Sequence, residues 1–305
     1  MILFPRHPVQ KKRVDPSFEE EFEAAKHAGF KTHLIDIEDE SSFCHSNIPT
    51  LYRGWIVTPA EYHDMFVQEP NLVVRPRDYN NSYNFPEWYE QVRPYKPSTP
   101  KSVWFPGTAQ KLLSDLSILW GSGPREYPGL GREHPGLGNL NGPIFIKDWC
   151  KSRKHEWANC CFIPDMLDAD NLHRVVTNFI RAQAEDNCFT GGLVCRELVQ
   201  IKPLGAEHPK SHIPLFNEHR FFVFKGQIFY GAPYWDAGFY SNVTWPEKKV
   251  IIDLVPHIRS SFFALDIAEK LDGNWTIIEV NDGGTAGVPE GGNALDFYKS
   301  LREVF

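Results

Sequence analysis

The chain has 305 residues, a formal charge of −7 and an aromatic content of 14%. That length supports two or three lobes around a sizeable core, and the aromatic share excludes a disordered chain. The negative balance argues against a nucleic-acid surface spread over the whole molecule, while leaving room for a local basic pocket.

Six cysteines, Cys44, Cys150, Cys160, Cys161, Cys188 and Cys195, contain no C-x-x-C pair and read as free thiols of a reducing compartment. The opening "MILFPRHP" has neither a long apolar core nor a cleavage-site pattern. No apolar run approaches the ~18 residues of a membrane span, and a cytoplasmic location is expected.

In chain order, "ILF" reads as a strand, and Asp15-Pro16 caps a helix that ends at Gly29. "THLIDI" and "LYRGWIV" are strands, Thr58-Pro59 opens a second helix, and "NLVV" closes the series as a strand. This pattern predicts an α/β domain with a largely parallel sheet over residues 1–95. No phosphate-binding glycine pattern follows its first strand, so a Rossmann unit is not expected. Residues 96–142 comprise the linker "RPYKPSTP", a helix over "GTAQKLLSDLSILW", and a Gly/Pro-rich segment. Within that segment "REYPGLG" is followed at once by "REHPGLG", one repeat pair, which reads as a duplicated surface loop and not a solenoid.

Residues 143–305 turn mostly to strand. "PIFIKDW" is a strand, 170–185 a helix, and "GLVCRELVQIK" a strand. "EHRFFVFKGQIFYGAPYW" is a hairpin turning at Lys225-Gly226, after which an amphipathic helix and a second hairpin are expected. "NALDFYKSLREVF" has helical spacing and should pack on the sheet.

The second hairpin carries "WTIIEVNDGG", with a carboxylate and an amide on a half-buried strand. If Asp272-Gly273 is a two-residue turn, Leu271 faces Asn274, and counting back sets Asp266 opposite Glu279 and Ala264 opposite Asn281. Asp266, Glu279 and Asn281 then share one face, while Leu265, Ile267, Ile278 and Val280 share the core face. An odd-length loop would slip this register by one. Two facing carboxylates repel unless a cation lies between them, and Asp, Glu and Asn oxygens suit Mg²⁺. On this geometry alone a solvated sheet edge accounts for the pattern equally well.

Upstream lie Lys147 ending "PIFIK", then Lys154 and Trp157 in "KDWCKSRKHEW", Arg196-Glu197 in "LVCRELV", and Glu218 and Arg220 in "EHRFFVFKGQIF". In this order, with the late D…E-x-N pair, the chain resembles the ATP-grasp superfamily. The likeness is greatest to the clade named for one arginine and two lysines, and extends to the eukaryotic cell-division-cycle proteins that assist assembly of a translation initiation factor. It covers roughly residues 100–290, and single pieces such as Lys151, His155 or Trp157 mean little alone.

The resemblance implies an α/β (α+β) ATP-grasp fold behind an N-terminal α/β domain. It implies that Lys147 meets the α- and β-phosphates and that Lys154 lies on the loop covering them. The hinge Glu197, Leu198 and Val199 would meet the adenine edge, with Arg196 or a neighbouring acid reaching phosphate or ribose. Arg220 would steady the γ-phosphate or an acylphosphate, and Asp266, Glu279 and Asn281 would hold Mg²⁺. It further implies an ATP- and Mg²⁺-dependent ligase joining a small-molecule or peptide carboxylate to an amine, without nucleic acid or membrane. An ATP-binding assembly factor holding a protein partner is the alternative. An exposed apolar patch on the N-terminal domain would favour that partner. "NDGGTAGVPEGG" stands where an acceptor pocket would be shaped, although turn chemistry explains its glycines as well.

Overall fold

The computed structural model describes residues 1–114, 116, 125–126, 133–134, 137–209, 212–241 and 243–305. β1 (Ile2–Pro5) lies between β2 (Thr32–Ile35) and β3 (Leu51–Tyr52), parallel to both. Asp15 accepts from the Ser17 amide and caps a 3-10 turn that leads into α1 (Glu19–His27). Gly29, at φ +83°, takes the chain out of that helix. α2 (Pro59–Gln68) opens on a capping box between Thr58 and Glu61. "NLVV" is not a strand: Leu72 makes a single bridge to Thr50. Pro76 follows too soon for a ladder and sits in the first turn of α3 (Pro76–Tyr83), which α4 (Phe85–Val92) follows directly. Pro86 again stands in a first turn; this Asn- and Tyr-rich pair of helices has little sequence signal beyond its prolines.

Beyond "RPYKPSTP" the chain forms β4 (Ser102–Pro106), a strand within the stretch expected to be linker. α5 (Ala109–Ser114) is the described part of the next helix. Inside the tandem repeat, β5 (Arg125–Glu126) and β6 (Glu133–His134) pair antiparallel, and most of the rest of the expected surface loop lies outside the described residues. β7 (Ile144–Asp148), β8 (Phe162–Ile163), α6 (Ala169–Glu185) and β9 (Gly192–Glu197) follow. They build an antiparallel sheet in the order β4-β9-β7-β8. α6 buries Leu172, Val175, Val176, Phe179 and Ile180 against Val103, Phe105, Ile144 and Ile146 on one face. Alternation leaves Phe145, Lys147, Val194 and Arg196 on the other.

β10 (Pro203–Glu207) and β11 (Pro214–Phe216) form a small ladder. β12 (Glu218–Phe224) turns at Lys225-Gly226, both at positive φ, into β13 (Gln227–Pro233), as the two-residue hairpin signal requires. The expected amphipathic helix shrinks to one turn, α7 (Lys249–Ile252), because Asp253 and Pro256 follow. β14 (Phe262–Glu269) and β15 (Trp275–Asp282) complete a second antiparallel sheet, β13-β12-β14-β15. α8 (Ala294–Val304) packs Phe297, Tyr298 and Leu301 between that sheet and the N-terminal domain, whose Ile2, Leu3 and Phe4 share the same core.

The β14–β15 hairpin reaches the expected register by an unexpected route. Glu269 pairs with Trp275, and the Lys270 amide donates to Asn274 O, so the loop is the odd-length Leu271–Gly273, with Gly273 at φ +79°. Such a loop slips the register by one. Ladder pairing then jumps from Ile267–Ile277 to Asp266–Glu279, with Ile278 as an extra residue. This bulge cancels the slip. Asp266 faces Glu279 and Ala264 faces Asn281, while the core position expected of Ile278 belongs to Ile277, which is fully buried.

Candidate functional site

The second sheet is amphipathic along its length. On one face Phe222, Phe224, Phe262 and Ala264 pack into the core shared with α8, while further along the same face stand Glu218, Arg220, Asp266, Glu279 and Asn281. The opposite face, with Phe221, Val223, Leu265, Ile267, Ile277 and Val280, packs on α4. Strand alternation therefore gathers the polar residues into one patch.

The two facing carboxylates are each neutralised by a base from another strand. Arg220, across from Asp266 on β12, clasps it with its fork: Nε to Oδ1 at 2.7 Å and Nη2 to Oδ2 at 2.7 Å, both residues being buried. Its remaining nitrogen donates to Gly287 O at 3.0 Å, and its guanidinium lies 4.9 Å from the Tyr234 ring centre. Burial works against the Arg220 charge, and Asp266 more than offsets it, raising its pKa. Lys147 projects from β7 of the other sheet and its ammonium donates to Glu279 Oε1. Burial would raise the Glu279 carboxyl; the Lys147 ammonium outweighs it and holds the carboxyl below its ordinary range. This ion pair ties the two sheets together across the site.

Lys154 begins a 3-10 turn (Lys154–Glu156) in the β7–β8 connection. The residue as a whole is exposed, and its ammonium turns inward to lie 5.6 and 5.5 Å from the Tyr234 and Trp235 ring centres. Its pKa is raised: burial opposes the charge, and Tyr234, Glu218, Glu279 and Asp266 together outweigh burial. Glu218, two residues before Arg220 on the same face, is pushed up to about 7 chiefly by burial. In the sequence Glu218 is a motif residue without a role of its own. Its i, i+2 spacing from Arg220 is the signal that places it here.

Arg196 is turned to the scaffold and not outward. Its nitrogens donate to Ile278 O at 2.7 Å, Thr99 Oγ1 at 3.0 Å and Ser102 Oγ at 3.2 Å, and its guanidinium lies 5.3 and 5.6 Å from the rings of Phe85 and Trp88. The expected reach to phosphate or ribose is thus replaced by a grip on the bulge that sets the carboxylate register. Burial lowers its pKa to about 10. In the segment after β9, Glu197 accepts from the Asn141 amide at 2.9 Å, the Glu197 amide donates to Lys101 O, and the Leu198 amide donates to Pro143 O. Of the three expected hinge amides, that of Val199 has no scaffold partner among the described residues.

The glycine-rich loop behind the patch is strapped to the N-terminal domain. Buried Arg53 donates to Gly283 O and, at 2.6 Å, to Ala286 O, while Glu21 takes its other side at 2.5 Å. The Gly54 amide meets Gly284 O at 3.0 Å, and a Cβ on Gly284 would stand 2.6 Å from Tyr52 O. Glycine is needed there for close approach of two backbones. Among the described residues no helix is long and apolar enough to cross a membrane. All six cysteines are free.

A two-sheet clamp whose facing carboxylates are covered by bases from both sheets defines an ATP-grasp architecture. Residues 135–301 match the model for family 3 of the ATP-grasp domains in the clade named for one arginine and two lysines, and the chain belongs to that family. Solved structures agree on the fold. The chain is similar to the D-cycloserine synthetase DcsG, at 11% identity and a TM-score of 0.57, covering 99% of each chain. It is also similar to the ATP-grasp ligase PsnB, solved with a phosphomimetic variant of its minimal precursor, Mg and ADP, at 12% identity, a TM-score of 0.53, and coverage of 99% of this chain and 95% of that one. A RimK domain ATP-grasp protein from Sphaerobacter thermophilus matches at 9% identity and a TM-score of 0.53, over 99% and 98% of the two chains. No curated protein matches the chain.

Proposed function

We propose that this protein is an ATP- and Mg²⁺-dependent carboxylate–amine ligase. The observation that carries this reading is the paired arrangement Lys147–Glu279 and Arg220–Asp266, two carboxylates on one sheet face, each held by a base from a different strand. Among the described residues no three His, Cys, Asp or Glu side chains are disposed to hold a metal by themselves. Asp266, Glu279 and Asn281 gather three oxygen-bearing side chains on one sheet face, a donor set that fits a cation also taking phosphate oxygens. Mg²⁺ bound there would neutralise charge on the triphosphate.

In this reading Lys147 and Arg220 exchange their carboxylate partners for phosphate, Lys147 as a point charge and Arg220 through its planar fork. Lys154 closes over the phosphates from the β7–β8 connection, and Val199 offers its free amide to the adenine edge. The substrate carboxylate attacks the γ-phosphorus and ADP leaves. The amine then attacks the acyl carbon, inorganic phosphate departs, and one proton is released. The residues supply alignment and charge stabilisation away from water. PsnB, solved with the precursor peptide PsnA2 and AMPPNP, supports a peptide carboxylate as the substrate type. The cytoplasm is the matching location.

An assembly factor, the reading suggested by the cell-division-cycle resemblance, would present an apolar surface on the N-terminal domain. Val9, Trp55, Ile56, Val67 and Tyr95 are exposed there; of these, Trp55 and Ile56 line a cleft beside the site, and that cleft supports the substrate reading. The deciding experiment incubates the protein with ATP, Mg²⁺ and pooled amino acids and peptides, following phosphate release and product mass. Substrate-dependent ADP with a condensation product supports the ligase. ATP binding without turnover supports the assembly factor.

A further inference from the structure

Beside the carboxylate patch lies an open cleft of about 570 Å³ between the N-terminal domain and the glycine-rich loop. Its size is that of a small-molecule site. Gly287, on its wall, is the residue whose carbonyl holds Arg220, so the cleft adjoins the reacting end of the proposed site. Trp55 and Ile56 line it while remaining 52% and 39% exposed, so apolar surface stays open to solvent at this spot. Trp55 is held fast. Its indole nitrogen donates to Asp15 at 3.2 Å, its carbonyl accepts from Tyr52 Oη at 2.9 Å, and its ring meets Phe18 edge-on at 5.0 Å. The preceding Arg53 and Gly54 are the residues strapped to the glycine-rich loop. The shelf is therefore rigid and pre-formed, as a recognition surface should be.

The charges of the cleft point to a zwitterion. Among its described lining residues Lys151 is the one base and Glu20 an acid; Glu21 is already engaged by Arg53, and Glu290 meets His208 Nε2 at 3.3 Å. A carboxylate is matched by Lys151 and an ammonium by Glu20.

Resting on the ligase reading, we propose that this cleft is the subsite of the ligated substrate, and that it takes an α-amino acid or short peptide whose apolar side chain lies on Trp55 and Ile56. The test uses the whole protein with ATP, Mg²⁺, the standard L-amino acids and their alanyl dipeptides, reading ADP release. Members with large apolar side chains support release, and serine, glycine and aspartate do not. Trp55→Ala raises KM for the apolar members about tenfold or more, with kcat within a few-fold. Trp55→Phe restores most of that loss, which a merely structural defect would not show. A preference for small polar substrates, an unmoved KM in Trp55→Ala, or no release with any apolar member overturns the proposal. Thermal stabilisation of the unsubstituted protein by Mg–ATP separates the two levels: its absence removes the ligase reading, and its presence with the wrong preference removes only the subsite.

Discussion

Asp266→Ala strips both oxygens from a buried guanidinium. Arg220 would keep only the Gly287 carbonyl and the Tyr234 ring, having lost two 2.7 Å charge-assisted hydrogen bonds. Removing one partner of a buried pair costs about 3–5 kcal/mol, because the other charge stays buried and uncompensated. For a chain of 305 residues each kcal/mol moves Tm by roughly 1.6 °C, so the apo variant should melt about 5–8 °C lower. The double variant Arg220→Leu/Asp266→Ala removes the stranded charge and should recover much of that loss, since apolar replacement of a buried pair is often neutral or better. Thermal unfolding of the four proteins of this cycle, without nucleotide, measures the coupling directly. A single-variant loss below about 1 kcal/mol, or additive losses in the double, would refute the claim that the pair is tightly coupled in the unliganded protein.

Glu279→Gln keeps the shape of its side chain and removes the charge that faces buried Lys147; Mg–ATP should no longer raise Tm, while the apo protein loses up to about 3–5 kcal/mol. Arg196→Lys cannot reach Ile278 O, Thr99 and Ser102 together, and should cost about 1–3 kcal/mol by denaturant titration, with weaker Mg–ATP binding because the bulge loosens. His219 lies buried among Tyr240, Trp245 and Trp275, which pushes its pKa down to about 4. The unfolded chain takes up that proton near pH 6.5 and the folded one only near 4, so this group's contribution falls as pH drops through that window. Glu218 and Asp282, both pushed up to about 7, slope the opposite way. The comparison is therefore with His219→Gln: the stability difference between the proteins should shrink toward acid by about 1.4 kcal/mol per pH unit at most, and a pH-independent difference would contradict the burial argument.

Legibility followed the kind of signal involved. Turn chemistry at Lys225-Gly226 and the caps at Asp15 and Thr58 are local, and the structure repeats them. β4 was hidden because "SVWFP" sits between prolines and has no alternation; only pairing with β9 makes it a strand. The facing of Asp266 and Glu279 was reached through a two-residue turn that does not exist, and held because the Ile278 bulge offset the real loop. Bulges carry no reliable sequence mark, so nothing local announced it. The direction of Arg196 was likewise unreadable, since its acceptors come from Thr99, Ser102 and Ile278, nearly a hundred residues away on either side.

That offset constrains how this hairpin can change in length. Excising Ile278 alone would leave Ile277 opposite Ile267 and bring Glu279 opposite Asp266 in an unbroken ladder, whereas removing Val280 would swing Asn281 into the hydrocarbon layer. The ladder should therefore tolerate the first deletion and not the second. Length changes in relatives of this chain should therefore gather at the loop and the bulge and avoid the stretch from Glu279 to Asp282, a signature that a survey of their lengths can check.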